Sequence, residues 1–274
     1  MPLHGRSARL RSFLLRIFLP VLLCYLLLAY LILPSFWRHY EHQKKLDGLP
    51  MVTTTAQGIP GDPINVGMVG SQKDILCAMR EAGWYAADPV TWKSSIEISG
   101  SVLLDQPYPR APVSPLFYAG RAEDLAFEKP VGKSADQRHH VRLWMVLKDG
   151  QEGRPVWLGA ATFDRGVGFS RYTGAITHHI APDIDLDRNL IESSLQAAGM
   201  ITARYQVMGI GSTLLGRNGG GDSYFTDGEV WVMRLVEGCK KTTVPPVVLP
   251  SPPAVQFKDM IWNNIAELYR NASK

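Results

Sequence analysis

From Ile17 to Leu33 the chain is apolar and uncharged, broken only by Pro20, and Phe13 to Leu15 extend the apolar stretch beyond Arg16. A run of about twenty such residues matches a bilayer core roughly 30 Å thick and predicts one transmembrane helix. A cleaved signal peptide shares the basic start and apolar middle, but this run is long and ends in Leu-Pro-Ser-Phe-Trp-Arg, without a small-residue cleavage site. Tyr30, Phe36, Trp37 and Tyr40 supply interfacial aromatics at its far end. Arg6, Arg9, Arg11 and Arg16 precede the helix, whereas Arg38, Lys44 and Lys45 follow it. That bias favours a cytoplasmic N-terminus in a single-pass inner membrane protein whose domain lies in the periplasm.

After the anchor, at 1–45, residues 46–63 carry Gly, Pro and Thr without periodicity and read as a linker. The pattern of a folded domain occupies 64–243. Ile64 to Val69 is a short apolar strand; Ser71 caps a helix with Ile75, Met79 and Ala82 on one face, stopped at Gly83. A second helix is expected from Asp88, with Pro89 in its first turn, and a surface loop from Pro107 to Pro115. In His139 to Leu147 strict alternation sends Val141, Leu143 and Met145 one way and His140, Arg142 and Trp144 the other. Val156 to Phe163 follows across Asp149, Gly150 and Gly153, which predicts an antiparallel hairpin. A helix opens at Asp183, buries Ile191, Leu195 and Ala198, and ends at Gly199. Ile201 to Met208 and Glu229 to Val236 are further strands, with a flexible glycine turn at Gly216 to Asp222 between them.

Two helices thus end alike, in Ala-Gly-Trp and Ala-Gly-Met. Glycine chemistry at helix C-termini accounts for the echo without a duplicated unit. In the last segment, 244–274, a proline cluster precedes Phe257, Ile261, Ile265 and Leu268 at helical spacing, an apolar face that packs on its own domain, a membrane surface or a partner. The fold class is therefore α/β in the α+β sense: a single mixed or antiparallel-rich sheet with flanking helices, preceded by one transmembrane helix.

Composition adds little against this patterning, since 46% hydrophobic and 20% charged residues are ordinary for a globular protein. The net charge of +4 owes much to the arginines before the anchor, and no basic stripe interleaved with aromatics follows, so nucleic acid is not an expected partner. Membrane lipid is one, and a membrane protein is another. Cys24 lies in the membrane run, which leaves Cys77 and Cys239 either as a disulfide of an oxidising compartment or as two buried thiols, the commoner state of free cysteine.

Candidate chemistry centres on two adjacent histidine pairs, His139-His140 and His178-His179, among seven histidines in all. The second runs into Asp183, Asp185, Asp187 and Arg188, and imidazole beside carboxylate is what acid/base work or a divalent metal requires. His140 shares its strand face with Arg142, whereas His139 continues the apolar stripe. Asp164 and Arg165, after the strand that ends at Phe163, are either further members of the site or turn residues before Gly166. The expected polar pocket is thus His140, Arg142, Asp164, His179, Asp183, Asp185 and Arg188, with His179 and Asp183 as the catalytic candidates. The competing reading makes the three aspartates helix-start residues favoured by the macrodipole, with Arg188 paired to one of them. No cofactor is identified, and no His-Glu-x-x-His spacing specifies a metal.

Several motifs fail on inspection. Asp183-x-Asp185-x-Asp187 starts like a calcium loop, but Arg188 replaces its glycine and Ser194 its final glutamate. Gly132-Lys133-Ser134 has Phe127 where a phosphate loop needs glycine, and Gly209-Ile-Gly211 lacks a third glycine. Ser170-Arg171 followed by His178 or His179 resembles the Ser-Arg-x5-His-x3-Asp block of lipid phosphatases with the spacing wrong.

Four blocks together are distinctive: Ser114-Pro-Leu-Phe-Tyr-Ala-Gly-Arg-Ala-Glu-Asp-Leu-Ala-Phe-Glu128, Arg138-His-His-Val-Arg-Leu-Trp144, Trp157-Leu-Gly-Ala-Ala-Thr-Phe-Asp164 and Thr177-His-His-Ile-Ala-Pro-Asp-Ile-Asp-Leu-Asp-Arg188. They resemble the LssY C-terminal domain family, in that family's order. The resemblance implies no defined reaction. It does imply work beside a membrane lipid, because relatives join the domain to DedA and lipid-phosphatase membrane modules, here replaced by one helix. Three functions follow as expectations: an accessory or ligand-binding domain in envelope lipid or phosphate-ester metabolism, with Arg142 and Arg188 suited to phosphate; a hydrolase, metal-assisted or not; and a structural partner-binding module.

Overall fold

The computed structural model describes residues 4–32, 46, 48–87, 115–132, 137–150, 152–207, 214–251 and 253–272. It divides into two units, Met1–Asp47 and Gly48–Lys274. The helix expected from Asp88 and most of the Pro107–Pro115 loop lie outside the described residues.

The first unit is a helix, α1 (His4–Leu27), that continues as a π-helical segment over Leu28–Ile32. It starts well before the apolar run, so Pro20 sits inside a continuous helix rather than at its beginning. Leu15–Ile32 is long and apolar enough to cross a membrane, and none of those 18 residues is covered by protein. At about 1.5 Å per residue they rise roughly 27 Å, close to the hydrocarbon thickness.

The second unit is built on a mixed sheet. In chain order its elements are β1 (Val52–Thr54), β2 (Pro60–Pro63), β3 (Val66–Val69), α2 (Gln72–Glu81), β4 (Tyr85–Ala86), β5 (Phe117–Tyr118), β6 (Arg121–Ala122), β7 (Leu125–Pro130) and β8 (Arg138–Leu147). Then come β9 (Val156–Phe169), β10 (Ile176–Ile180), α3 (Asp185–Ala197), β11 (Ile201–Val207), β12 (Leu215–Arg217), β13 (Ser223–Phe225), β14 (Val230–Leu235), β15 (Val247–Val248) and α4 (Pro253–Ala272). The large sheet runs β15-β11-β14-β3-β9-β8-β7-β4, with β10 alongside β9. Its pairs are antiparallel except β14 with β3 and β11 with β15. The mixed, antiparallel-rich sheet with flanking helices matches the sequence-based fold class. A four-stranded sheet, β2-β1-β5-β6, and the β12-β13 hairpin accompany it.

The four-stranded sheet corrects one expectation, because β1 and β2 lie in the stretch read as linker. Prolines at 60 and 63 and glycine at 61 hide a strand whose hydrogen bonds come from β1, while buried Thr53 Oγ1 donates to the Asp62 carbonyl at 2.8 Å.

Alternation along β8 divides two cores. Val141 and Leu143 join Met68, Trp157, Ile75, Met79, Ile191 and Leu195 on the face covered by α2 and α3. Trp144 joins Leu158, Ile64, Leu116, Tyr118 and Val232 on the opposite face, beneath the smaller sheet. Fully burying each of these large side chains contributes about 1.5–3 kcal/mol. Asn65 ties the layers together: its Nδ2 donates to the carbonyls of Ala161 (2.9 Å) and Ile184 (3.3 Å), and its Oδ1 accepts from Ala161 N (2.9 Å).

Both glycine-ended helices close in the same way. Gly83 and Gly199 have φ of 77° and 69°, and the next amides, Trp84 N and Met200 N, reach back to Met79 and Leu195. A common C-terminal hydrogen-bond pattern therefore explains the sequence echo. Ser71 forms the expected cap, reinforced as a capping box by Asp74. The other helix begins at Asp185, not Asp183, which bridges instead to Phe225.

Two further differences concern the periphery. The structure bonds Cys77 to Cys239, where burial habit alone favours free thiols. On α4, Val255, Trp262 and Ala266 are buried, whereas Phe257, Ile261, Ile265 and Leu268 are exposed. Trp262 and Tyr269 stack in a row with Phe225, and Arg270 and Lys258 on the same side pair with Asp183 and Glu229. These contacts turn the helix away from the face that spacing alone selects.

Candidate functional site

The sheet face that carries Trp144 also carries Arg138, His140 and Arg142, two residues apart along β8. Register sets Glu128 of β7 opposite His140, Thr162 of β9 opposite His140 on its other side, and Asp164 opposite Arg138. At Asp164 β9 leaves β8 and pairs onward with β10, where Ile180 is its partner across a bulge. Asp62 comes from β2. Of these polar groups Asp62, Arg138, His140, Arg142 and Asp164 line a cavity of about 290 Å³, together with Ile59, Leu116, Ser170, Ile176, His178, Asn218, Gly219 and Gly220.

Inside it the charges are paired in a chain. Arg138 donates Nη1 to Glu128 Oε2 (2.8 Å) and Nε to Asp164 Oδ2 (3.2 Å). His140 Nδ1 lies 3.3 Å from Asp164 Oδ2, its Nε2 2.9 Å from Thr162 Oγ1 and 3.8 Å from Asp62 Oδ2. Arg142 Nη1 donates to Asp62 Oδ2 at 3.1 Å, and Asn218 Nδ2 approaches Asp62 Oδ1 at 3.4 Å. Arg138, His140, Arg142, Asp62 and Asp164 are each no more than 6% exposed. Charges this deep require partners, because an isolated ion in low dielectric is strongly disfavoured.

Burial and neighbours act in opposite directions across the cluster. Burial alone raises the carboxyl pKa of Asp164, but the charges on His140, His178 and Arg138 outweigh it and hold the carboxyl below its usual range. Asp62 is likewise lowered: burial is overcome by hydrogen bonding to His140 and the charge of Arg142. Glu128, fully buried, is pushed up to about 8 despite Arg138. For His140, burial disfavours the imidazolium, yet Asp164 reverses this and the pKa is raised. His178 goes the other way, lowered by burial and by the cationic neighbours, with Asp164 opposing. Its Nε2 is buried without a hydrogen-bond partner. Arg138, His140 and Arg142 therefore face Asp62 and Asp164, whose ionised forms they favour, while burial opposes ionisation of Glu128.

Of the residues singled out in the sequence, His140, Arg142 and Asp164 meet in this cavity. His179, Asp183, Asp185 and Arg188 are not among its lining residues. His179 and His178 project to opposite faces of β10, so the cavity takes His178, while His179 Nδ1 lies 2.9 Å from Asp222 Oδ1 over Gly168. Asp183 pairs with Arg270 Nε at 2.5 Å. Asp185 accepts from Thr226 Oγ1 (2.6 Å) and Asp227 N (2.8 Å), and Arg188 makes a two-pronged pair with Asp227 at 2.7 and 2.9 Å. Those contacts fasten the segment between β13 and β14 to the start of α3. His139, on the helix-covered face, lies 2.6 Å from Asp187.

Arg138, Asp62 and Asn218 line the cavity without having been singled out, with Glu128 and Thr162 bonded to Arg138 and His140, and His178 stands where His179 was expected. Arg138 had a signal, since it precedes His140 and Arg142 in the same alternation. Asp62 had none within a proline-rich stretch. Asn218 opens the glycine turn, which is firmly tied: its Oδ1 accepts from Gly220 N (3.1 Å) and Asp222 N (2.9 Å). Among the described residues, no group of three or more His, Cys, Asp or Glu side chains is placed to hold a metal ion.

Comparison with known proteins bears on the whole of this unit. A family model described as LssY C-terminus matches residues 46–230, which span the cavity and every strand around it. No curated protein and no solved structure matches the chain.

Proposed function

The chain belongs to the LssY C-terminus family, and on that premise we propose that its cavity binds a small anion of the phosphate-ester class, in an accessory role within envelope lipid metabolism. The observation that carries this reading is the row Arg138, His140, Arg142 on one buried strand face, all three lining the cavity. A phosphoryl group would meet this cationic row, and guanidinium forks suit its oxygens. Asn218 and His178, with its unpartnered Nε2, offer neutral donors to the same ligand. Titration of the purified full chain with glycerol 3-phosphate tests the reading. Saturable binding that weakens at least tenfold in Arg142→Lys supports it; no binding at millimolar ligand at pH 6 refutes it.

A hydrolase is the second reading, favoured by the opposite displacement of the two cavity histidines. Paired groups whose environments separate their pKa values are suited to acid and base roles. Here His178, neutral, would take a proton from water and His140, protonated, would give one to the leaving oxygen. Release of phosphate from a phosphomonoester panel, abolished in His178→Gln, is the expected result; absence of turnover sinks this reading and leaves binding intact.

The compartment proposed is the periplasmic side. The four arginines ahead of the apolar helix support it, and so does the Cys77–Cys239 disulfide, because such bonds persist in oxidising compartments. A C-terminal alkaline phosphatase fusion should be active and a green fluorescent protein fusion dark; the reverse pattern overturns the orientation.

A further inference from the structure

Beyond the cavity, the β9–β10 ribbon carries large apolar side chains into solvent. Phe169 is 70% and Ile176 75% exposed, and they face each other across the ribbon. One rung inward Val167, 41% exposed, pairs with His178. Directly opposed residues in an antiparallel pair lie on one face. Val167, Phe169 and Ile176 therefore form a ledge on the same face as His178, and Ile176 and His178 both line the cavity. The turn adds Tyr172, 51% exposed, beside exposed Arg171, whose amide is anchored to the Gly220 carbonyl at 2.9 Å. Ile59 and Leu116 bring apolar atoms to the cavity wall as well.

A contiguous apolar surface leading out of a charged pocket has a specific complement: a molecule with an anionic head and a hydrocarbon tail. We infer that the ledge takes the acyl chain of a phosphorylated lipid whose head group occupies the cavity. This rests on the anion-binding reading of the cavity and narrows it from phosphate esters at large to membrane amphiphiles. The occupant is a lipid rather than a second protein because the surface continues into a cavity lined by buried charges, which does not suit the apolar side-chain anchor of a protein interface, and because the chain carries its own helix long and apolar enough to cross a membrane. Tyr172 and Arg171 at the tip are the residue types that favour the region between head groups and acyl chains.

The test uses the full chain held in amphipol, so that no free detergent competes. Binding of glycerol 3-phosphate is compared with that of octanoyl lysophosphatidic acid, and octanoyl lysophosphatidylcholine measures non-specific partition. Each buried methylene strengthens binding about fourfold, so even partial tail contact should make the lysophosphatidic acid bind at least tenfold more tightly than glycerol 3-phosphate. The variant Val167→Ser/Phe169→Ser should reduce that preference to about threefold or less while leaving glycerol 3-phosphate binding unchanged. Equal binding of the two phosphates by the wild-type chain, or an undiminished preference in the variant, overturns the ledge and spares the cavity. Binding of neither phosphate removes the cavity reading itself. Equal binding of the phosphatidylcholine analogue reduces the effect to partition and also overturns the inference.

Discussion

Replacing Asp164 with asparagine keeps the shape of the side chain and removes one buried negative charge. Asp164 is 3% exposed, accepts from Arg138 Nε at 3.2 Å and stands 3.3 Å from His140 Nδ1. In Asp164→Asn the imidazolium of His140 loses its main support, burial prevails and its pKa falls; Arg138 loses one carboxylate and keeps Glu128, itself raised. Breaking a buried pair by removing one partner costs about 3–5 kcal/mol, and the amide's residual hydrogen bonding argues for the lower end, about 3 kcal/mol. For a domain of this size that is roughly 6–12 °C in melting temperature.

The pH dependence follows from the two shifts. Asp164 has a lowered carboxyl, so its stabilisation is present above the unfolded value of 3.8 and is lost as pH falls through the folded one. His140 has a raised imidazole, so its contribution is full below 6.5 and is lost as pH rises through the folded value. The gap between wild type and variant should therefore be widest between those two values and narrow on either side. Thermal unfolding of the full chain in detergent, followed by tryptophan fluorescence at pH 3, 5.5 and 9, measures it. A difference below 2 °C at pH 5.5, or one that grows at pH 9, refutes the coupled cluster.

Asn65→Ala leaves the amide and carbonyl of Ala161 without their buried partner, at about 1–3 kcal/mol for each unsatisfied group; urea unfolding should show a lowered midpoint with an unchanged slope. The Cys77→Ser/Cys239→Ser pair opens a cross-link that spans 162 residues, worth about 5 kcal/mol in chain entropy as an upper figure; the same loss should appear on reduction of the wild-type chain and not of the variant. Glu128 is raised from 4.5 to about 8, so wild-type stability should decline as pH rises through that window. Glu128→Gln should flatten the decline, seen as converging urea midpoints at pH 6 and 9.

What could be read from the chain was whatever depends on local periodicity and chain stiffness. The apolar N-terminal helix, the Ser71 cap, the glycine stops at Gly83 and Gly199, and the alternation that sends His140 and Arg142 away from Val141 and Leu143 all follow from side-chain spacing on a helix or a pleated strand. The same alternation makes only one histidine of each adjacent pair available to a given face. It selects His140 from the first pair, because Arg142 marks the polar face. It is silent on the second pair, where His178 and His179 sit beside no such marker on β10.

Tertiary structure decided the rest. Asp62 reaches the cavity because β2 is folded over the sheet by pairing with β1, a long-range arrangement that Pro60, Gly61 and Pro63 do not advertise. Asp183, Asp185 and Arg188 are drawn off to Arg270, Thr226 and Asp227, partners 39 to 87 residues away. The exposed stripe on α4 arises in the same way, since three stacked rings and two ion pairs outweigh a row of apolar side chains. The sequence by itself determined the long apolar N-terminal helix, the fold class and half of the polar face, since each depends on neighbours within a turn or a strand. Which charges meet, and the apolar ledge beside them, depended on contacts between distant segments, whose energy no local pattern records.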